Sequence, residues 1–269
     1  MSEIRMRKYA FLGGGIIAGV FIERLLRGGG VAPANVLATD IRRERLDLLS
    51  RQFGIRVSAN NGEGAGFGDV VFLAVPPNAV KPVLTEVREK LQSGVLVVSL
   101  AAAVPTSLIE EAAGRPVSVV RVIPNTPSLI GRGMNPHCLG KYVSEEQWPL
   151  IQALLATFGE TIRVDEALME AATALTAVGP AYVFPVIKAM TEAAVGLGLP
   201  ADQARFAAAQ TVAGAAQLVL ETGQDPEVLK LMIGVRTLKE DEARALFAAA
   251  LEAAHEKIAA ARNKLAPAG

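Results

Sequence analysis

The chain has 269 residues, of which 51% are hydrophobic, and its 27 basic residues balance 27 acidic ones. This length is enough for one or two domains with a substantial core. A formal net charge of zero provides no field that would attract nucleic acid or an anionic membrane. One cysteine, Cys138, and two histidines exclude an intramolecular disulfide and argue against a zinc site.

Targeting signals are not visible in the sequence. No apolar run approaches the roughly 20 residues that a membrane-spanning helix needs. The first residues carry charge and contain no apolar signal core before the first predicted strand. We therefore expect a cytoplasmic protein that binds neither a membrane nor nucleic acid and that holds no metal.

The first part of the chain alternates short apolar strands with amphipathic helices. The near-continuous apolar run at 69–77 is typical of a parallel strand that is covered on both faces. The alternation predicts a doubly wound α/β domain, and a glycine-dense stretch at 60–69 is predicted to be a loop. Strands are predicted at residues 8–13, 35–40, 69–77, 94–103 and 116–125. Helices are predicted at 16–29, at 42–54, in the part of 79–92 that follows Pro82, and at 105–114.

From about Glu166 the character of the sequence changes. Long alanine-rich segments at 166–198, 201–222 and 240–264 have helical periodicity, and no strand pattern appears. Their small residues permit close packing of helices. We predict a dinucleotide-binding domain at 1–165 and an all-helical domain at 166–269.

A glycine pattern, Gly13-x-Gly15-x-x-Ala18, follows the first predicted strand directly and opens the first long helix. Gly13 allows a tight turn, and Gly15 lets a pyrophosphate approach the backbone at the helix N-terminus. Ala18 lets the helix pack closely on the strand. The alternative is a tight turn with no ligand, but the strand–turn–helix context favours a dinucleotide.

Asp40 ends the next predicted strand, where an acidic residue binds a ribose hydroxyl of NAD. Arg42 and Arg43 follow at once. They either hold the 2′-phosphate of NADP or are merely the exposed start of a helix. The sequence therefore leans toward NAD and leaves NADP open.

The order of motifs along most of the chain resembles the pyrroline-5-carboxylate reductase family, and "IPNTP" followed by "GPAYVF" is more specific than the glycine loop. The resemblance implies an N-terminal Rossmann domain, a helical C-terminal domain that dimerises, and hydride transfer from NAD(P)H to the C=N carbon of pyrroline-5-carboxylate, which gives proline. The similar stretches are "FLGGGIIAG", "VSANNGE", "VFLAVPP", "VVRVIPNTPSLIGRGM", "TALTAVGPAYVF" and "AAAQTVAGAAQLVLETGQDPEVLK".

The same resemblance places Asn61 beside the cofactor. Small residues at the ends of strands let a nicotinamide ring lie against the backbone, and Asn125 and Thr126 are candidates to bind its carboxamide. Asn125 is also a good turn residue without any ligand. The predicted cofactor-binding residues are Gly13, Gly15, Ile16, Ile17, Ala18, Asp40, Arg42, Asn61, Ala74, Val75, Pro76, Ala101, Ala102, Asn125 and Thr126.

The chain departs from the family pattern near the cofactor and the substrate. Ile16 and Ile17 stand where the family has Asn-Met, and Pro76 replaces a lysine. The family's Ser-Gly-Ser before Gly-Pro is Thr176-Ala177-Val178 here. One hydroxyl, that of Thr176, remains, and it or water is expected to supply the proton.

The largest departure is the family's Ser-Pro-Gly-Gly-Thr-Thr loop, which holds the substrate carboxylate and is missing between Gly234 and Val235. Arg236 is expected to bind the carboxylate with two hydrogen bonds, and Thr237 to donate to the imine. Alternatively this is a plain exposed turn. The catalytic candidates are Thr176 and Thr237, and the substrate-binding candidates are Val178, Gly179, Pro180, Gly234 and Arg236.

Three functions follow from these observations. The first is reduction of a cyclic imine, with pyrroline-5-carboxylate as the default substrate. The second is the same chemistry on another imine or a carbonyl, and the third is dinucleotide binding without turnover. In each case we expect a homo-oligomer, at least a dimer, because the helical part is rich in small apolar residues.

Overall fold

The computed structural model describes residues 2–265. By its internal contacts the chain divides into two compact units. The first contains the residues up to Val178 and those from Ala253 onward, and the second is Gly179–Glu252. Residues 166–178 thus group with the first unit. The domain boundary after residue 165 stays a prediction.

The first unit is built on one eight-stranded sheet with the strand order 3-2-1-4-5-6-7-8. All neighbouring strands are parallel except β6 and β7, which are antiparallel. Its strands are β1 (Tyr9–Leu12), β2 (Val36–Thr39), β3 (Arg56–Ser58), β4 (Val70–Leu73), β5 (Leu96–Ser99), β6 (Ser118–Val122), β7 (Gly133–Leu139) and β8 (Gly159–Arg163).

Helices connect the strands and cover both faces of the sheet, so the predicted doubly wound α/β architecture is confirmed. Short 3₁₀ turns lie at Pro33–Asn35, Thr126–Ile130, Glu145–Gln147 and Glu166–Leu168. The helices are α1 (Ser2–Met6), α2 (Ile16–Arg27), α3 (Arg43–Phe53), α4 (Asn61–Phe67), α5 (Pro77–Val87), α6 (Thr106–Ala113), α7 (Trp148–Leu155) and α8 (Met169–Thr176).

The core lies on both sides of the sheet because successive strand residues point to opposite faces. Tyr9 and Phe11 are fully buried on one face, and Ala10 and Leu12 are fully buried on the other. Phe11 stacks on Phe72 of the neighbouring strand with ring centroids 4.4 Å apart. Burial on both faces holds the carboxyl ends of the central strands in fixed register.

The predicted loop at 60–69 is wrong, since most of it is helix α4. The side chain of Asn60 caps this helix by accepting a hydrogen bond from the amide of Gly62 at 2.8 Å. A Cβ on Gly64 would lie 2.9 Å from the side chain of Leu12. The glycines thus let the helix lie directly against the sheet, although their helix propensity is low.

The sequence patterns also missed three strands, β3, β7 and β8. β3 has only three residues, and β7 carries Asn135, Pro136 and His137 among its apolar positions. β8 is partly exposed and mixes Glu160 and Arg163 with apolar residues. None of them shows the regular apolar pattern that identifies a buried parallel strand.

The second unit is helical, as predicted. Helices α9 and α10 pack against each other, and Lys230–Met232 forms a short 3₁₀ turn. The last helix, α12, continues from this unit into the residues that group with the first. The bounds are α9 (Gly179–Gly196), α10 (Ala201–Thr222), α11 (Pro226–Leu229) and α12 (Glu240–Leu265).

One described segment, Glu166–Gly196, is long and apolar enough to cross a membrane by length and composition alone, with a mean hydropathy of 1.3. The expectation that no apolar run approaches this length is wrong for this segment. The reason is that alanine together with valine, leucine, isoleucine, phenylalanine and methionine keeps the mean hydropathy high, although no uninterrupted run of large apolar residues is present. Helices that pack in protein interiors and interfaces have the same composition, so the segment identifies no membrane contact by itself.

Candidate active site

The chain turns sharply between β1 and α2, at the predicted glycine loop. Gly13 has a φ of +102°, which side chains rarely adopt, and a Cβ there would lie 2.6 Å from the carbonyl oxygen of Ala74. Gly15 is the N-cap of α2 and gives the helix no side-chain cap. A Cβ on Gly15 would meet nothing within 4 Å. The N-terminus of α2 is therefore open to an anion.

Asp40 lies directly after β2, beside this loop, and is only 9% exposed. Its Oδ2 accepts a hydrogen bond from the amide of Gly14 at 2.9 Å, and its Oδ1 accepts one from the amide of Arg42 at 2.9 Å. Burial by itself would raise the pKa of Asp40, but the hydrogen bonds from Arg42 and Gly14 outweigh it and hold that pKa below its usual value. Asp40 is therefore ionised at neutral pH.

A cleft of about 700 Å³ lies at the carboxyl ends of β1, β2, β4 and β5. This is the usual ligand position in an open α/β sheet, and the volume is in the range of small-molecule sites. Most of the predicted cofactor residues line it, namely Gly13, Gly15, Ile17, Asp40, Arg42, Asn61, Ala74, Val75, Pro76, Ala101 and Ala102.

A second cavity of about 300 Å³ adjoins the first, since Ile17 lines both. Its wall includes three further predicted cofactor residues, Ile16, Asn125 and Thr126. Ala18 lines neither cavity. It is fully buried and packs α2 onto the sheet, as its position in the glycine pattern indicates.

The side chain of Asn125 links two other elements. Its Nδ2 donates to the carbonyl oxygen of Thr176 at 3.1 Å, and its Oδ1 accepts from the amide of Met134 at 3.1 Å. The hydroxyl of Thr176 donates to the carbonyl oxygen of Ala172 at 2.9 Å. Asn125 thus fixes the end of α8 within the first unit, and the hydroxyl proton of Thr176 is already engaged.

The other candidates for substrate binding and catalysis line neither cavity. Val178 is half-buried at the end of the first unit, and Gly179 and Pro180 begin α9 in the second unit. Gly234, Arg236 and Thr237 are exposed in a segment without regular structure between the 3₁₀ turn at Lys230–Met232 and α12. Their assignment to the substrate stays a prediction.

Comparison with known proteins places these features in a family. The chain is 35% identical to a pyrroline-5-carboxylate reductase of Methanosarcina acetivorans over 260 residues, which cover 93% of this chain and 96% of the relative. It is 33% identical to the enzyme of that name from Escherichia coli, with 93% of this chain and 97% of the relative covered. The chain belongs to the pyrroline-5-carboxylate reductase family.

Two family models match separate parts of the chain. Residues 166–261 match the family model described as pyrroline-5-carboxylate reductase dimerisation. Residues 8–103 match the model described as NADP oxidoreductase coenzyme F420-dependent. The second match covers the glycine loop and the strands that carry the larger cleft.

Solved structures agree with this membership of the pyrroline-5-carboxylate reductase family. A pyrroline-5-carboxylate reductase from Coxiella burnetii superposes with a TM-score of 0.83 at 32% identity, and 97% of this chain and 99% of that chain are covered. A Plasmodium falciparum pyrroline carboxylate reductase with NADP bound superposes with a TM-score of 0.85 at 24% identity, with 96% and 99% covered. The latter supports the fold alone.

Sequence reasoning missed Ile41, which lines the larger cleft, and Arg45, which contacts the glycine loop without lining the cleft. Ile41 is 92% exposed. Arg45, on α3, donates from Nε to the carbonyl oxygen of Gly14 at 2.8 Å and from Nη2 to that of Gly15 at 3.2 Å. The only signal for Arg45 was its place on a helix that follows Asp40.

A buried ionic cluster, which the sequence reasoning also missed, anchors β6 near the second cavity. Arg121 is fully buried and pairs with Glu166 and, at 3.4 Å, with Glu170. Glu166 also accepts from the amide of Thr106 at 2.9 Å, and Arg262 lies 3.6 Å from Glu170. Within residues 2–265 no group of three His, Cys, Asp or Glu side chains is arranged to hold a metal ion.

Proposed function

We propose that this protein reduces a cyclic imine with NAD(P)H, and that pyrroline-5-carboxylate, reduced to proline, is its substrate. The observation that carries the proposal is a dinucleotide-type cleft in a chain that is 35% identical to a pyrroline-5-carboxylate reductase over 93% of its length. Reduced nicotinamide supplies the hydride that adds to the C=N carbon, and the imine nitrogen takes up a proton.

The residues of the cleft fit this cofactor. The open N-terminus of α2 and the missing side chain of Gly15 provide the room and the positive potential that a pyrophosphate needs. Asp40 is an ionised acceptor for a ribose hydroxyl. Val75, Pro76 and Ala101 offer an apolar wall against which a nicotinamide ring would lie.

Other groups must supply the proton and bind the substrate carboxylate. Water is the better supported proton source, because the hydroxyl proton of Thr176 is donated to the carbonyl oxygen of Ala172. Arg236 is exposed and offers a planar pair of donors that matches a carboxylate, and Thr237 offers a hydroxyl to the imine. These two residues take the role of the loop that the family pattern has and this chain lacks.

NADH is inferred to be the preferred cofactor. Asp40 is buried, ionised and tied to Gly14, so its negative charge is fixed beside the ribose position. Arg42 offsets that charge, but its guanidinium is already paired with Asp40, with Nε and Nη2 each 3.0 Å from a carboxylate oxygen. A 2′-phosphate would have to break this ion pair before Arg42 could bind it.

A homodimer is proposed as the working form. The match to the dimerisation model spans most of the helical part. Large apolar side chains of the second unit are exposed in one copy, among them Phe184, Phe206 and Leu220 at 56%, 73% and 77%. A second copy of the chain would remove this apolar surface from water.

The test mixes purified protein with pyrroline-5-carboxylate and either NADH or NADPH, and follows loss of the reduced nicotinamide absorbance together with formation of proline. The proposal expects proline in equal amount to the nucleotide oxidised. Nucleotide binding without oxidation would refute the proposed reaction and would favour a dinucleotide-binding protein without turnover. Oxidation with another imine or a carbonyl, but not with pyrroline-5-carboxylate, would refute the substrate alone.

A further inference from the structure

Both backbone polar groups of Gly14 are hydrogen-bonded to side chains that follow β2. Its amide donates to Asp40 Oδ2 at 2.9 Å, and its carbonyl oxygen accepts from Arg45 Nε at 2.8 Å. Arg45 Nη2 reaches the next carbonyl oxygen, that of Gly15, at 3.2 Å. One guanidinium therefore bridges two successive peptide groups of the loop.

This bridge matters because the loop has little stiffness of its own. Glycine residues have no Cβ to restrict rotation, so the peptide group that joins Gly14 to Gly15 has several accessible orientations. The neighbouring groups are better held, because the amide of Gly13 donates to Thr39 and the carbonyl oxygen of Gly15 accepts from the amide of Gly19 in the first turn of α2. An anion site at a helix N-terminus works only when the free N–H groups point at the anion. Fixing the carbonyl oxygens away from the cleft fixes the following N–H groups toward it, because each peptide group is planar.

The charge of Arg45 adds to this effect. The side chain is half-buried, and within residues 2–265 no carboxylate lies within ion-pair distance of it. Its positive charge therefore lies beside the N-terminus of α2 without a direct ion-pair partner and adds to the positive end of the helix dipole. Arg45 is not among the residues that line the cleft, so it acts through the loop and not as a direct ligand.

We propose that Arg45 is a positioning residue that holds the glycine loop in the conformation that binds the pyrophosphate of the dinucleotide. This inference rests on the proposed function, since it assigns a part of the same cofactor site. It predicts that loss of the guanidinium loosens the loop even without cofactor. It also predicts that ligands with a pyrophosphate lose affinity while adenosine does not.

The experiment compares Arg45→Met and Arg45→Lys with Arg51→Met, which changes an exposed arginine of the same helix. Hydrogen–deuterium exchange of the free full-length protein is measured at Gly13 and Gly14, whose amides bond to Thr39 and Asp40. Dissociation constants are measured for NADH, ADP-ribose and adenosine. Melting temperatures show whether each variant is folded.

In Arg45→Met we expect faster exchange in the loop and a roughly tenfold or greater loss of affinity for NADH and ADP-ribose, with adenosine unchanged. Arg45→Lys should recover part of the loss, and Arg51→Met should match the wild type. Unchanged loop exchange in Arg45→Met, or an equal loss for adenosine, would overturn the inference. If the wild type bound neither NADH nor ADP-ribose, the proposed function would fail, while the exchange data would still show whether Arg45 holds the loop.

Discussion

The carboxylate of Asp40 and the guanidinium of Arg42 form a bidentate ion pair at the end of β2, with Nε–Oδ1 and Nη2–Oδ2 both 3.0 Å. The two partners differ in exposure, since the side chain of Asp40 is 7% exposed and that of Arg42 is 59% exposed. The carboxylate is thus buried, whereas the guanidinium that binds it lies largely in solvent. The pair brings together the two groups that we propose discriminate a ribose hydroxyl from a 2′-phosphate.

Asp40→Asn should shift cofactor use toward NADPH. The amide oxygen of asparagine still accepts from Gly14, while the negative charge that repels a 2′-phosphate is gone and Arg42 is released. We expect the ratio of kcat/KM for NADPH to that for NADH to rise by roughly tenfold or more. The control is Asp47→Asn, which removes a carboxylate of α3 that pairs with Arg43. An unchanged ratio in Asp40→Asn would contradict the assignment.

Gly15→Ala should weaken cofactor binding without unfolding the protein. The added methyl group meets no protein atom within 4 Å, so it costs the fold little, but it occupies the space that the pyrophosphate needs. We expect the Kd of NADH to rise by roughly tenfold or more at a nearly unchanged Tm. Gly66→Ala, where the nearest atom would be the carbonyl oxygen of Lys90 at 3.8 Å, should bind NADH as the wild type does. Equal binding by both variants would count against a pyrophosphate at Gly15.

Acid should destabilise the protein through His137. Burial lowers the pKa of His137 to about 4, with a further contribution from the positive charge of Arg163. An unfolded histidine titrates near 6.5, so the unfolded state binds more protons below that pH. Stability is therefore fully present above about pH 6.5 and is lost as the pH falls toward 4.

Between pH 7 and 5 this one group should remove about 2 kcal/mol from the free energy of unfolding. His137→Leu should show a pH dependence smaller by that amount, whatever its stability at pH 7. Denaturant unfolding at the two pH values measures both quantities. The same pH slope in both proteins would show that His137 is not the responsible group.

Arg236→Met should impair the use of substrate but not of cofactor. Losing a charge-assisted pair of hydrogen bonds to a carboxylate costs about 1.5–3 kcal/mol, so KM for pyrroline-5-carboxylate should rise by roughly tenfold or more. The Kd of NADH should not change. Lys239→Met, which removes a nearby exposed cation that pairs with Glu242, is the matched control. An unchanged KM in Arg236→Met would show that this segment is a plain exposed turn that does not bind the substrate.

Phe206→Glu should shift the oligomer toward the monomer. Phe206 is 73% exposed on α10 within the region that matches the dimerisation model, and a buried unpaired charge in an interface is costly. Met6→Glu makes the same kind of change at a side chain that is 78% exposed but lies outside that region, and it should leave the mass unchanged. Multi-angle light scattering measures the mass of each. A monomeric wild type would refute the proposed homodimer directly.

The sequence predicted the parts of the fold in which local pattern and burial agree. The strands β1, β4 and β5 are apolar except for Ser99 at the end of β5, because both of their faces are covered, and the pattern identified each of them. β7 escaped because Pro136 and His137 interrupt its apolar run. Helix α4 escaped because its glycines, which favour loops in isolation, are required here for close contact with the sheet.

The candidate site was predictable to the same extent. Gly13 and Asp40 follow from a spacing that encodes a strand–turn–helix unit. Arg45 does not, because its partners are backbone atoms that only the three-dimensional approach of another element supplies. Asn125 was a candidate from the family resemblance, but its bond to the carbonyl oxygen of Thr176 could not be foreseen for the same reason. The role of a side chain that supports a loop has no local signature, whereas the loop itself has one.

The most direct test of the central claim uses NADH carrying deuterium at the transferable position of the nicotinamide. The protein is incubated with this NADH and pyrroline-5-carboxylate, and the proline is examined by mass spectrometry and NMR. The account predicts proline that carries one deuterium on the former imine carbon, in an amount equal to the NADH oxidised. Proline without the label, or no proline although the protein binds NADH, would contradict it.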